Sequence, residues 1–121
     1  MNSQTTRDTN DEAGQLALDV FQTVETVVIQ VPIAGVRPED LDISITDETV
    51  IIKGERKNQQ AAANDDYLVQ ECYWGPFSRT YMLQTQIIVD KATAVLKDGI
   101  LTITIPRDAR AKTRVVTVQA G

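Results

Sequence analysis

Residues 94–106 read Ala-Val-Leu-Lys-Asp-Gly-Ile-Leu-Thr-Ile-Thr-Ile-Pro and give the clearest local indication of the fold. Its Asp98-Gly99 dipeptide is typical of a two-residue hairpin turn. Apolar and polar residues then alternate from Leu101 to Ile105, which predicts a strand with one buried face. Pro106 has no N–H group to donate and ends the ladder. The stretch therefore predicts an antiparallel hairpin, although residues 87–97 suit a short helix as well as a strand.

The same alternation fills most of the chain before this hairpin. Val50 to Ile52 is apolar on both faces, which predicts a strand inside a sheet. Thr23-Val24 is a candidate two-residue turn, and Gly75-Pro76 marks a break because proline cannot donate to a ladder. The earlier predicted strands are Gln15–Gln22, Glu25–Ile33, Leu41–Thr46, Thr49–Lys53, Tyr67–Trp74 and Phe77–Leu83. Roughly eight strands with short connections predict an all-β antiparallel sandwich.

The chain has 121 residues, which is enough for one domain. We expect the sandwich to occupy residues 15–106, after a short, disordered polar arm at 1–14. Residues 57–66 have no apolar side chain larger than alanine, which predicts a mobile loop. Residues 107–121 form a C-terminal extension, in which a basic stretch is followed by a valine-rich end.

The sequence supports no catalytic, cofactor or metal site. There is no histidine, so Cys72 has no base to activate it and is expected to be a half-buried strand residue. The glycines are too widely spaced for a phosphate-binding loop. Acidic pairs such as Asp47-Glu48 do not match calcium-ligand spacing and are interpreted as solvated turn charges. We therefore expect a protein that is not an enzyme.

Charge and hydropathy limit the partners and the compartment. The net charge is −5, which is unfavourable for binding nucleic acid. No apolar run reaches the length of a membrane span, and residues 1–14 lack the apolar core of a secretory signal. A single cysteine is compatible with a reducing compartment. We therefore expect a cytoplasmic protein with neither nucleic acid nor membrane as partner.

Four stretches resemble the α-crystallin domain of the small heat-shock protein family. Residues 94–106 are similar to the family's Ala-x-x-x-Asn-Gly-Val-Leu signature and the strand after it. Residues 33–41 resemble its Leu-Pro-Gly-Val-x-x-Glu-Asp-Ile segment, and residues 50–56 its Leu-x-Ile-x-Gly-Glu-Arg strand. Residues 71–79 match the region that holds an arginine associated with dimers. The resemblance implies an immunoglobulin-like sandwich that binds partly unfolded client proteins without hydrolysing ATP.

The resemblance also implies a homodimer. In bacterial, archaeal and plant-like members a strand within the long loop pairs with the partner subunit, and Arg79 matches the arginine near that interface. A solvated strand arginine is the alternative for Arg79. The implied interface residues are Tyr67, Leu68, Val69, Gln70, Glu71 and Arg79.

Higher oligomers are implied by the C-terminal extension. Family members place an Ile-x-Ile/Val tail in a groove of a neighbouring sandwich, and Val116-Thr117-Val118 occupies the matching position. The groove residues implied by motif position are Leu41, Ile43 and Ile45 on one strand and Thr93 and Val95 on another. These residues are alternatively ordinary core residues.

The polar arm at 1–14 departs from the longer, aromatic-containing arms of the family. Client binding would then depend on the sandwich surfaces or the groove. The predicted function is an ATP-independent holdase that suppresses aggregation. The alternative is an adaptor or co-chaperone that uses a CS-like sandwich to dock on a specific folded partner.

Overall fold

The computed structural model contains two antiparallel β-sheets and describes residues 16–58, 66–108 and 116–121. Seven strands lie within these ranges. In chain order they are β1 (Asp19–Gln22), β2 (Thr26–Pro32), β3 (Leu41–Ile45), β4 (Thr49–Arg56), β5 (Gly75–Met82), β6 (Thr93–Lys97) and β7 (Ile100–Pro106). The predicted all-β, immunoglobulin-like antiparallel sandwich is confirmed. The arm 1–14, residues 59–65 of the predicted loop and residues 109–115 of the extension lie outside the described ranges.

Strand order explains where the core lies. One sheet has the order β1-β2-β7-β6 and the other the order β3-β4-β5. Alternate side chains of the central strands point between the sheets, and each fully buried aliphatic side chain contributes about 1.5 to 3 kcal/mol to stability. The completely buried residues are Ile29, Val31, Ile33, Val50, Ile52, Ile103 and Ile105. The edge strands β1, β6, β3 and β5 have a neighbour on one side only, so the other side of each has no strand partner in the described part of the chain.

The hairpin between β6 and β7 forms as the sequence predicts. Lys97 pairs with Ile100, which leaves a two-residue turn. Asp98 and Gly99 have φ angles of 54° and 77°, the positive values that a type I′ turn requires at both positions. Residues 87–97, which suited a helix or a strand, contain a short 3-10 turn at Val89–Lys91 followed by β6.

Two predicted turn details are wrong. Gln22 pairs with Val27, so the connection between β1 and β2 is wider than Thr23-Val24. The Thr23 hydroxyl accepts the N–H of Thr26 at 2.9 Å, which stabilises this wider turn. The predicted break at Gly75-Pro76 is also absent, because both residues belong to β5. Since β5 is an edge strand, a residue without an N–H group is tolerated there.

Tyr67–Trp74, predicted as a strand, is not a strand in the single chain. A strand needs a neighbour that shares its backbone hydrogen bonds, and no described strand pairs with this segment. Cys72 lies in the segment and is exposed, so its predicted half-buried position is also wrong. The cause is the same, because no sheet covers the residue.

Candidate functional site

The sandwich has two margins where the edges of its sheets face each other. At one margin β3 lies opposite β6, and at the other β1 lies opposite β5. Each edge strand is paired on one side, so its other side presents backbone N–H and C=O groups that a further chain can use. The margins are therefore the natural docking surfaces of this fold.

An apolar cleft of about 180 Å³ lies at the β3/β6 margin. Leu41 and Ile43 point inward from β3, because alternate residues of a strand share a face. They are only half-buried, since no further strand covers the edge. The residues that line the cleft are Pro38, Leu41, Ile43, Ala94, Leu96 and Leu101.

The connection from β2 to β3 closes one end of this cleft. It places Pro38 in a short 3-10 turn, Pro38–Asp40. The Asp40 carboxylate, whose side chain is 11% exposed, lies 3.1 Å from Lys57 Nζ and 3.8 Å from Arg37 Nε. Arg56 Nε donates to the Ala34 carbonyl at 3.0 Å. These contacts fix the connection against the end of β4 and so define the shape of the cleft.

The structure corrects one wall of the predicted groove. Thr93 and Val95 pair with Thr104 and Thr102, whose side chains lie on the outer face of the sheet. Val95 is 57% exposed and does not line the cleft. Ala94 and Leu96 line the cleft from β6 instead, each one residue after the Thr93 and Val95 that the resemblance implies. A one-residue shift moves every side chain of a strand to the opposite face.

On the other wall, Leu41 and Ile43 line the cleft from β3. Ile45 shares their inward face but packs against the core without lining the cleft. Ala94 and Leu96 can be predicted to face the cleft by counting back from the Asp98-Gly99 turn. That count pairs Leu96 with the inward-facing Leu101 and therefore places Leu96 inward as well.

The β1/β5 margin is bridged by polar contacts. The half-buried Arg79 donates through Nη1 to the carbonyl of Leu16, which lies just before β1. The Thr85 hydroxyl donates to Gln22 Oε1 at 3.0 Å. An opening of about 370 Å³ between these contacts is lined in part by Phe21 and Tyr81. Arg79 is thus neither a fully solvated strand arginine nor paired with a described carboxylate.

The implied dimer segment extends away from the sandwich. Tyr67 is half-buried and its hydroxyl accepts the Asn58 side-chain amide at 3.0 Å. Leu68 is 98% exposed, and Val69, Gln70 and Glu71 are exposed with it. Among the described residues no hydrogen bond or ion pair joins Arg79 to this segment. The single chain therefore does not bring the two parts of the implied interface together.

The two valines of the tail motif are exposed. Val116 is 69% and Val118 is 92% accessible to solvent. Neither is therefore seated in the apolar cleft of its own chain.

The buried positions of the described residues are apolar. No polar or charged side chain among the described residues is fully buried. In the same ranges no group of three or more Cys, Asp or Glu side chains is placed to hold a metal ion. The helices of the described part are all too short or too polar to cross a membrane. What the margins offer is apolar surface and backbone hydrogen-bonding groups.

Comparison with known sequences identifies related proteins. Residues 19–119 match the model of the Hsp20/alpha crystallin family. Small heat shock protein C2 of Rickettsia felis is 33% identical over 101 residues, which cover 84% of this chain and 66% of that protein. Heat shock protein 16 of Schizosaccharomyces pombe is 31% identical over 111 residues, which cover 87% of this chain and 76% of that protein. The chain thus spans just under two thirds of the Rickettsia protein.

Solved structures show the same fold. Heat shock protein 16.0 of Schizosaccharomyces pombe superposes with a TM-score of 0.72 at 26% identity, covering 87% of this chain and 97% of that one. A small heat-shock protein from Xylella fastidiosa, described as having a distinct high order structure, gives a TM-score of 0.72 at 27% identity. That superposition covers 90% of this chain and 98% of the Xylella chain.

Proposed function

Because the chain belongs to the Hsp20/alpha crystallin family, we propose that it is an ATP-independent holdase that binds partly unfolded proteins and suppresses their aggregation. The observation that carries this proposal is the open apolar cleft between two unpaired strand edges at the β3/β6 margin. An unfolding protein exposes extended backbone and apolar side chains together. The cleft and its edges can bind both.

Binding of this kind needs no nucleotide. An extended client segment can add to the edge of β3 or β6 through backbone hydrogen bonds, while its side chains enter the cleft. Burial of apolar surface supplies the free energy. A single cleft of this size binds weakly, so useful retention of a client depends on several clefts in one assembly. The absence of phosphate-binding glycine spacing in the sequence agrees with this mechanism.

Assembly through the tail supplies those copies. We propose that Val116 and Val118 of one subunit enter the cleft of another. Side chains two residues apart on a strand point the same way, about 6.6 Å apart, and can occupy adjacent positions. Burying both contributes at most roughly 3 to 6 kcal/mol before ordering costs. The exposure of both valines supports this proposal, as does the high order structure named for the Xylella fastidiosa relative.

The proposed basic unit is a homodimer formed at the β1/β5 margin. Tyr67–Glu71 would cross to the partner and add to the unpaired edge of its β1. Two features support this arrangement: the exposure of Leu68 and the position of β1 at the end of its sheet. Arg79 lies at the same margin, where its bond to Leu16 would fix the start of β1 for the partner strand. The proposal places the protein in the cytosol, where the unpaired Cys72 stays reduced.

A matched pair of variants on β6 tests the holdase. Ala94 and Val95 are both exposed, but only Ala94 lines the cleft. A client that aggregates on heating is followed by light scattering in ATP-free buffer. We expect Ala94→Glu to abolish most of the suppression given by the unmodified protein, because a carboxylate in the cleft opposes apolar binding. Val95→Glu should retain it.

The scattering experiment has three results that contradict the proposal. The unmodified protein could leave client scattering unchanged at equimolar dose, which would reject a holdase. Ala94→Glu and Val95→Glu could lose activity equally, which would move client binding away from the cleft. A discrete stoichiometric complex with one folded partner, without bulk suppression, would favour the adaptor function.

A further inference from the structure

A second groove joins the apolar cleft at the start of β3. It has a volume of about 650 Å³ and lies along the sheet β3-β4-β5. Leu41 lines both the cleft and this groove, so the two adjoin at this residue. Leu41, Pro76 and Phe77 give the groove an apolar part. A chain that lies in the cleft therefore has a path onto this second surface.

The rim of the groove is acidic. Glu39, Asp40, Asp42 and Glu55 line it, against one basic side chain, Lys53. Asp40 is engaged by Lys57 and Arg37, and Glu39 lies 3.5 Å from Arg37. Asp42 and Glu55 are exposed, and neither has a salt-bridge partner in the described part of the chain. These two carboxylates remain available to a cation from another molecule.

The C-terminal extension carries the complementary charge. Residues 109–115 contain three basic residues and no acidic one, while the whole chain has a net charge of −5. The rest of the molecule therefore carries −8. The three cations occupy even-numbered positions, as the two valines do: Arg110, Lys112, Arg114, Val116 and Val118. In an extended chain all five side chains point to one side, with the cations before the valines.

We infer that the groove binds Arg110, Lys112 and Arg114 of a second copy of this chain, beside the cleft that receives its valines. The inference rests on the proposed docking of the tail. A rise of about 3.3 Å per residue places Arg114 within roughly 7 Å of Val116 along the tail. The tail's basic-then-apolar face matches the acidic groove that continues into the apolar cleft. The occupant is a second copy because the chain's own valines are exposed.

Binding in this arrangement combines two different forces. Valine burial is insensitive to moderate salt, whereas exposed ion pairs weaken as salt screens them. The cations would fix the position and direction of the tail, because only the Leu41 end of β3 continues into this groove. The opposite end of β3 leads to Asp47 and Glu48, two exposed acidic residues in the turn before β4.

The test uses a fluorescent peptide of residues 107–121 titrated with the full-length protein and followed by anisotropy. A second peptide carries Arg110→Gln, Lys112→Gln and Arg114→Gln. We expect it to bind about 2- to 30-fold more weakly, the range for a few exposed ion pairs. The difference is measured at about 0.05 M salt and should shrink at about 0.5 M salt, where the Debye length is only a few ångströms.

Two protein variants locate the site. Asp42→Asn with Glu55→Gln should remove the preference for the basic peptide. Asp47→Asn with Glu48→Gln removes the same charge at the other end of β3 and should preserve that preference. Equal binding of the two peptides would overturn the inference. Equal loss in both protein variants would also overturn it, because general attraction to an acidic surface would then explain the result.

A third peptide, with Val116→Gly and Val118→Gly, separates this inference from the proposed function. If the peptide without the two valines binds weakly and the peptide without the three cations binds normally, the inference fails while tail docking stands. If the loss of the valines has no effect, tail docking itself fails, and the inference that rests on it fails too. If no peptide binds at all, tail docking and the inference both fail. If loss of the valines and loss of the cations each weaken binding, the result supports tail docking and the inference.

Discussion

The two margins of the sandwich are built from the same kind of edge strand but differ in the contacts between their strands. At the β3/β6 margin, Leu41 and Leu96 meet across an apolar cleft, and no described side-chain hydrogen bond joins the two strands. At the β1/β5 margin, Arg79 bonds to the Leu16 carbonyl and Thr85 bonds to Gln22. The β3/β6 margin therefore relies on apolar contacts, which have no preferred direction, and the β1/β5 margin on hydrogen bonds, which do.

The two kinds of contact differ in whether they allow partners to exchange. Apolar contacts accept any side chain of suitable size, which supports the proposal that a tail or a client segment occupies the β3/β6 cleft in turn. Hydrogen bonds have defined directions and hold one geometry, and at the β1/β5 margin they join two parts of the same chain. The alternation of apolar and polar residues predicts inward-facing side chains at both margins. Alternation does not predict the polar contacts of Arg79 and Thr85, which distinguish the β1/β5 margin from the β3/β6 margin.

The largest expected effect comes from truncating the floor of the cleft. Leu101 is buried and lines the cleft from β7. We expect Leu101→Ala to lower the free energy of unfolding by about 2 to 5 kcal/mol, because burial is lost and a cavity remains. Leu83 is half-buried at the β1/β5 margin, and Leu83→Ala should lower the free energy of unfolding by about 1 to 2 kcal/mol. Urea denaturation measures both, and equal losses would contradict the difference between the margins.

Much of the fold follows from local pattern. Alternation identifies the inward faces of β2, β3 and β7, and Asp98-Gly99 fixes the register of the last hairpin. For β6, counting back from the Asp98-Gly99 turn predicts that Ala94 and Leu96 face inward, whereas motif position implies Thr93 and Val95. Tyr67–Trp74 has a residue pattern typical of a strand but does not form one, because neither described sheet contains a strand that pairs with it.

The contact of Arg79 had no signal in the sequence. Its acceptor is a backbone carbonyl 63 residues earlier in the chain, and every residue has a carbonyl. Composition can suggest a carboxylate partner for an arginine but cannot select a main-chain oxygen. Such a contact depends on how the two sheets are placed against each other, which alternation does not specify.

The next effect in size is the loss of this arginine. We expect Arg79→Leu to lower the free energy of unfolding by about 1 to 3 kcal/mol, because the carbonyl of the buried Leu16 loses its charged donor. Arg79→Lys should recover part of the loss. Urea titrations at two protein concentrations separate the two roles of the residue. A loss of stability within the chain is independent of protein concentration, whereas a loss that falls only on the proposed dimer changes with concentration.

The smallest effect should come from Thr85→Val, which removes the exposed hydrogen bond to Gln22 but keeps the side-chain shape. The free energy of unfolding should change by no more than about 0.5 kcal/mol, because water replaces an exposed partner. Amide hydrogen exchange is the sharper measurement. β1 has four residues and one neighbour, so it should open locally more often in the variant while β2 and β7 keep their protection. Faster exchange throughout the sheet would show instead that this polar margin supports the whole sandwich, and the contrast with the apolar margin would then be one of degree.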